Sequence, residues 1–240
     1  MAAAAFTSAA QAQGQPSGRP VAWEPSYVGA CADCDLSGRN LAGWRLNGAN
    51  YAGARLDYAH MRGVEATAIN MQGASAASAD LRSADLTGAR LADAVLTNAR
   101  MQSITISGAD LRRASMQGAN LQRGTLIGVN LEDAQLVLAN LETADLSGTN
   151  ARGANLDGAN LRGAVLNGTN LMDARFGGAD IGGASFRDAR LQGADLARTK
   201  GFGEADFGGA CGSLTTRLPA SYALPLCANP AADVLGEAAN

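Results

Sequence analysis

A large apolar residue returns at every fifth position from Leu36 to Leu196, and two residues before most of these centres stands a small one, usually alanine. Typical units read Ala-Asp-Leu-Thr-Gly (84–88), Ala-Asn-Leu-Gln-Arg (119–123) and Ala-Asn-Leu-Asp-Gly (154–158). A period of five fits neither the 3.6-residue turn of a helix nor the simple alternation of a strand. The pattern instead marks two inward positions in every unit. The centre and the small residue then face inward, and the other three positions, mostly Asp, Asn, Arg, Ser, Thr, Gln or Gly, face water. Glycine most often follows the centre by two residues, where a corner needs a permissive backbone. With 30 glycines and only 5% aromatic residues, the interior must be built from many small side chains stacked at close range.

The tandem A(D/N)LxG pattern resembles the pentapeptide-repeat family over about two-thirds of the chain. That resemblance implies an all-β solenoid, a right-handed quadrilateral β-helix with four units per coil and small N- and C-terminal caps. The 33 units between Leu36 and Leu196 would make about eight coils. At ~4.8 Å between stacked strands, they would form a rod ~40 Å long. Stacked leucine layers and backbone ladders would hold the coils together, as in other solenoids. A twenty-residue coil predicts further that Val129, Thr149 and Thr169, all oversized for the small slot, form one contiguous ladder. Ala151 is a shrunken centre beside the enlarged Thr149, and Ala66 one beside Val64, as close packing requires. Ala76 lies beside the equally small Ala74, so irregular packing or a small void is expected between Val64 and Ser78.

The ends differ from the repeat. Residues 1–12 read as the remnant of an export leader whose start lies upstream, or as a disordered Ala-rich N-terminus; Ala10-Gln11-Ala12 has the small-x-small form of a signal-peptidase site. Residues 13–30, with Pro16, Pro20 and Pro25, read as linker and N-terminal cap, Trp23 and Tyr27 folding over the open first coil. The rod occupies 31–198. Its register slips by one near Thr199 to Gly201, and Phe202 and Phe207 then resume it. Residues 199–227 resemble the coil and cap that follow many bacterial pentapeptide rods, with Leu214, Leu218, Tyr222 and Leu224 covering the last layer. Residues 228–240 are expected to be a disordered tail. The cysteines fall in two pairs at opposite ends, too far apart for one four-cysteine zinc site. Cys31 and Cys34 take a centre and a small slot, as buried thiols or a structural disulfide. A Cys211–Cys227 bond would close the C-terminal cap.

A formal charge of −3 over 240 residues argues against a phosphate-gripping tail. Sorted by the twenty-residue period, one face carries Arg62, Arg82, Arg100, Arg123 and Arg162 against Asp80, Glu142 and Asp180, and is mildly basic. The next carries Glu65, Asp85, Asp145 and Asp188 against Arg45 and Arg187. The outward apolar residues are Val95, Val137 and Leu138 and, one side round, Ile127 and Val165. Candidate interaction residues are therefore Ile127, Val137, Leu138, Arg62, Arg82, Arg100 and Arg123. No nucleophile elbow or oxyanion loop accompanies His60, which occupies an outward slot. Asp before the centre is a structural choice of the repeat rather than a sign of acid–base chemistry. The sequon Asn167-Gly168-Thr169 is discounted because Thr169 faces inward. The chain therefore reads as a non-enzymatic structural or protein-interaction rod without cofactor, metal or direct nucleic-acid contact. It would be exported to the periplasm or secreted, as a monomer or end-to-end dimer. The alternative, suggested by the gyrase-protecting members of the family, is a cytoplasmic DNA mimic that binds DNA gyrase or topoisomerase IV. Such a mimic implies a pronounced acidic surface.

Overall fold

The computed structural model describes residues 31–228, and the chain within them climbs as a four-sided β-helix. Each side is a column of single parallel bridges between residues twenty apart. The first runs from Asp35↔Arg55 to Arg175↔Asp195, the second from Asn40↔His60 to Asp180↔Lys200, the third from Arg45↔Glu65 to Val165↔Ser185, and the fourth from Asn50↔Asn70 to Asn150↔Asn170 and on to Arg190. Eight steps of twenty residues separate Asp35 from Asp195, in agreement with the coil count expected from the repeat. The leader, the linker with Trp23 and Tyr27, and the tail after Ala228 lie outside the described residues.

One unit shows why the motif folds this way. The centre Leu86 donates its N–H forward to the carbonyl of Thr105 at 2.7 Å, and Thr105 donates back to Ala84 at 3.0 Å. The corner is a turn in which Ala89 N–H donates to Leu86 O at 3.0 Å. Its second central residue, Gly88, has φ 67°, as a type II turn requires. The Asp or Asn before the centre caps that turn: Asp85 Oδ1 accepts the N–H of Thr87 at 2.9 Å, and Asn140 Oδ1 that of Glu142 at 3.1 Å. This local bond is why these two residues dominate the slot, since their short side chains accept from a backbone N–H two residues on.

The centres from Leu41 and the small slots from Ala49 are sealed inside as far as Leu196, while Trp44, which fills the small slot before Leu46, is half-buried. Val129, Thr149 and Thr169 do form one buried ladder. Both threonine hydroxyls donate to the Leu146 carbonyl, at 2.9 and 3.1 Å, which satisfies them in an otherwise apolar interior. The segment around Ala66 and Ala76 differs from its neighbours in its centres rather than in its ladder. Its backbone is regular, with Ala66 N–H on Asp85 O at 2.8 Å and Ala76 N–H on Val95 O at 2.7 Å. In that coil the four centres are Met61, Ala66, Met71 and Ala76, all buried, so a long flexible side chain stands on each of two opposite sides between two short ones. Val64 and Ile69 enlarge the adjacent small slots, and methionine fills irregular gaps readily.

At the C-terminal end, the ladder step lengthens to twenty-one at Ser185↔Asp206 and twenty-two at Asp195↔Arg217. The first extra residue is absorbed at a 3₁₀ turn, Phe202–Glu204, entered through Gly201. Phe176, Phe186, Phe207, Phe202 and Tyr222 then form a continuous aromatic cluster, with successive ring centroids 4.5 to 6.2 Å apart. Leu218 and Leu224 pack half-buried on the core, as a cap should. Leu214 does not: it is 92% exposed, because the turn from Ser213 to Thr216 is held by hydroxyl bonds that point its tip outward. Cys31 and Cys34, and Cys211 and Cys227, are paired at disulfide distance, with Cα atoms 5.3 and 4.8 Å apart.

Candidate interaction surface

With the interior closed, recognition can only come from the four outer sides and the ends. Leu138 and Val137 sit at the corner that follows the first side; Leu138 is 69% exposed and Val137 half-buried. Ile127, 45% exposed, and the half-buried Val165 belong to the third side. They are therefore opposite the first side, not one side round from it. Ten residues separate Ile127 from Val137, and ten residues are two sides. The rod thus offers no single mid-length apolar patch built from these residues. Tyr58, 68% exposed, shares the Leu138 corner four coils earlier, a position absent from the outward apolar residues read from the sequence, which were all aliphatic.

The arginine-bearing second side keeps its mild basic excess, but two of its five arginines are paired with acids of the same side. Arg82 bonds Asp80 through both ends of its guanidinium, with Nε 2.7 Å from Oδ1. Arg162 reaches Asp180 at 3.4 Å. Arg62, Arg100 and Arg123 form no ion pair among the described residues. On the fourth side Arg112 grips Asp110 and Arg113 grips Asp93, with Nε–Oδ1 distances of 2.8 and 2.7 Å. Amide ladders link other outward columns from coil to coil, as in Asn170 to Asn150 at 3.0 Å and Asn160 to Asn140 at 3.1 Å. On the third side the carboxylates are interrupted by Thr105, Thr125 and Val165. His60 is exposed, and no group of three or more His, Cys, Asp or Glu side chains suited to a metal occurs among the described residues. No helix of the described residues is long and apolar enough to cross a membrane.

These pairs carry a pH dependence. The hydrogen bond from Arg82 holds the Asp80 carboxyl below its ordinary value, that from Arg113 does so for Asp93, and that from Arg112 for Asp110. A carboxyl whose folded pKa is lowered stabilises the fold once both states are ionised, and that contribution fades as the folded state is protonated. The melting temperature should therefore be flat above about pH 5 and fall as pH drops through the ordinary carboxylate value near 3.9 toward the lowered folded values. Thermal melts of the native chain and Asp110→Asn check this. The variant keeps the turn-capping oxygen and should lose less on acidification.

The family model for pentapeptide repeats matches the chain in eight copies, over residues 77–113, 94–133, 106–142, 139–178 and 169–200. This chain belongs to the pentapeptide-repeat family. Among solved structures, the pentapeptide-repeat protein HetL of the cyanobacterium Nostoc sp. strain PCC 7120, involved in heterocyst differentiation regulation, is 26% identical. The match covers 83% of this chain and 92% of HetL, with a TM-score of 0.56. A trypsin-treated variant of QnrB1, a plasmid-mediated fluoroquinolone resistance protein, is 17% identical over 79% of this chain and 92% of its own, with a TM-score of 0.43. A comparison with curated protein sequences finds no match. The fold is thus the right-handed quadrilateral β-helix of the pentapeptide-repeat proteins. In this pentapeptide-repeat rod, what repeats builds the coil, and the exceptions at its corners are what distinguish its surface.

Proposed function

We propose that this protein is a non-catalytic interaction scaffold of an oxidising compartment, periplasmic or secreted, that presents the Leu138 corner to a protein partner. The observation that supports a partner is Leu138 itself. Its φ is 58°, in the left-handed region that costs a residue other than glycine roughly 1 kcal/mol, yet its side chain is 69% exposed. The same corner slot has positive φ at Tyr58, Asp93, Arg113, Asp173 and other non-glycine residues, so what sets Leu138 apart is a large apolar side chain left in water, from which folding gains little. A photo-crosslinking residue at position 138 should yield a partner adduct in the native host, whereas the same residue at 127 should not. Leu138→Gly should remove partner capture while leaving stability unchanged or raised by up to about 1 kcal/mol. A loss of stability larger than that would make Leu138 a packing residue and sink this reading.

The compartment is inferred from the cysteines, since disulfides persist where the milieu is oxidising. Alkylation of native, denatured but unreduced protein should find no free thiol. Reduction should weaken the C-terminal cap by about 3 kcal/mol, as expected for a loop of this length. Four free thiols would place the rod in a reducing compartment. Inhibition of gyrase supercoiling at sub-micromolar protein would favour the alternative, a mimic of DNA that binds gyrase or topoisomerase IV.

A further inference from the structure

The ladder of hydrogen bonds along the first corner stops short of the C-terminal end. Successive corner N–H groups each donate to the next coil: Gly118 to Val137 O at 2.9 Å, Leu138 to Asp157 O at 2.9 Å and Gly158 to Gly177 O at 2.8 Å. The next bond, from Gly178 N–H to Ala197 O, is not made. Here the chain has two consecutive glycines, Gly177 and Gly178, while the other corners of this column carry at least one side chain. A Cβ at Gly178 would meet nothing within 4 Å. The result is an open groove of ≈ 490 Å³ lined by Asp157, Arg175, Gly177, Gly178, Asp195 and Arg198.

The charges of this groove are unevenly engaged. Asp157 accepts from Arg175 at 2.7 Å on one oxygen and from Gly177 N–H at 2.7 Å on the other. Asp195 accepts from Arg217 at 3.0 Å and from Ala197 N–H at 3.1 Å in the same way. Each carboxylate is thus paired with one guanidinium, and each of its oxygens accepts one hydrogen bond. Arg198 is exposed and has no hydrogen-bond or ion-pair partner among the described residues. The groups of the groove left without any partner are donors: a planar guanidinium, which suits bidentate contact with a carboxylate, and the Gly178 N–H beside bare backbone.

We infer that this groove is a carboxylate-binding subsite for an extended peptide, Arg198 gripping the carboxylate and Gly178 N–H supplying a further donor. The absence of side chains at Gly177 and Gly178 lets a peptide backbone approach closely. The inference stands whether or not the Leu138 corner binds a partner. The carboxylate is either a peptide C-terminus or an acidic side chain, and two probes separate these: acetyl-Gly-Gly-Ala with a free C-terminus, and acetyl-Ala-Asp-Ala amide. Titration of ¹⁵N-labelled full-length protein should give saturable shifts of the Gly178 amide and Arg198 Nε signals with at least one of them, and none with acetyl-Gly-Gly-Ala amide. Arg198→Gln should weaken that binding about tenfold or more, and Arg198→Lys should recover only part of it, since an ammonium lacks the fork. Equal shifts with all three peptides, or no saturable shift with any, would overturn the proposal, as would unchanged affinity in folded Arg198→Gln.

Discussion

Phe186→Ala should unfasten the C-terminal coils while leaving the first coils intact. Phe186 is fully buried and stands between two aromatic neighbours, edge-on to Phe176 at 6.2 Å and stacked on Phe207 at 4.9 Å. Truncating a buried phenylalanine costs about 3–5 kcal/mol, because the cavity cannot collapse fully around it. Little collapse is open to this site, since both flanking coils are pinned by their ladders: Phe186 N–H to Asp206 O at 2.7 Å and Ser185 N–H to Ala164 O at 2.9 Å. In a solenoid each coil is stabilised chiefly by its neighbours, so the loss stays local and frees whatever lies beyond it. Amide hydrogen exchange should show protection lost from about residue 176 to the cap and retained in coils near residues 80–130, where backbone opening draws on different contacts. Uniform loss of protection along the rod would show that it melts as one cooperative unit instead.

The inside of this molecule was legible in its sequence, and the outside only in part. Burial at every fifth residue leaves a solenoid as the solution, and the twenty-residue coil then follows from the family pattern, so Val129, Thr149 and Thr169 could be stacked before any coordinates. Outward side chains obey no such constraint. An arginine reaches Asp80 two residues back on its own strand, Asp93 twenty back or Asp157 eighteen back, as Arg82, Arg113 and Arg175 do. Counting charges by face therefore gives the net charge of the second side but not which of its arginines are left unpaired. Near Ala66 and Ala76 the backbone ladder stays regular. The long Met61 and Met71 lie on different sides of the same coil from the shortened centres. Leu214 was assigned inward on apolarity alone, where the turn chemistry of Ser213 and Thr216 decided otherwise. The groove at Gly177 and Gly178 left a signal in the sequence, the paired glycine, but its missing ladder bond depends on how the register slip beyond it is accommodated.

That slip hinges on Gly201, and Gly201→Ala should be among the most disruptive single-carbon changes in the rod. Gly201 has φ 69°, and a Cβ placed on it would lie 2.5 Å from the Gly182 Cα and 2.6 Å from the Gly182 N. The obstacle is backbone, so no side chain can swing aside. Nor can Gly182 retreat without loosening the bond from Gly163 N–H to its carbonyl, 3.0 Å long. Left-handed strain of roughly 1 kcal/mol and overpacking of about 1–3 kcal/mol should therefore add to a loss of some 2–4 kcal/mol. Gly183→Ala separates the two contributions: it has φ 68° but would meet nothing within 4 Å, so it should carry the strain alone. Denaturant unfolding followed by a probe in the C-terminal coils should find Gly201→Ala less stable than Gly183→Ala by at least about 1 kcal/mol. Equal losses in the two variants would mean that the 3₁₀ turn can shift away from Gly182 freely, and that the register slip is held by the aromatic cluster behind it rather than by the close approach of the two glycines.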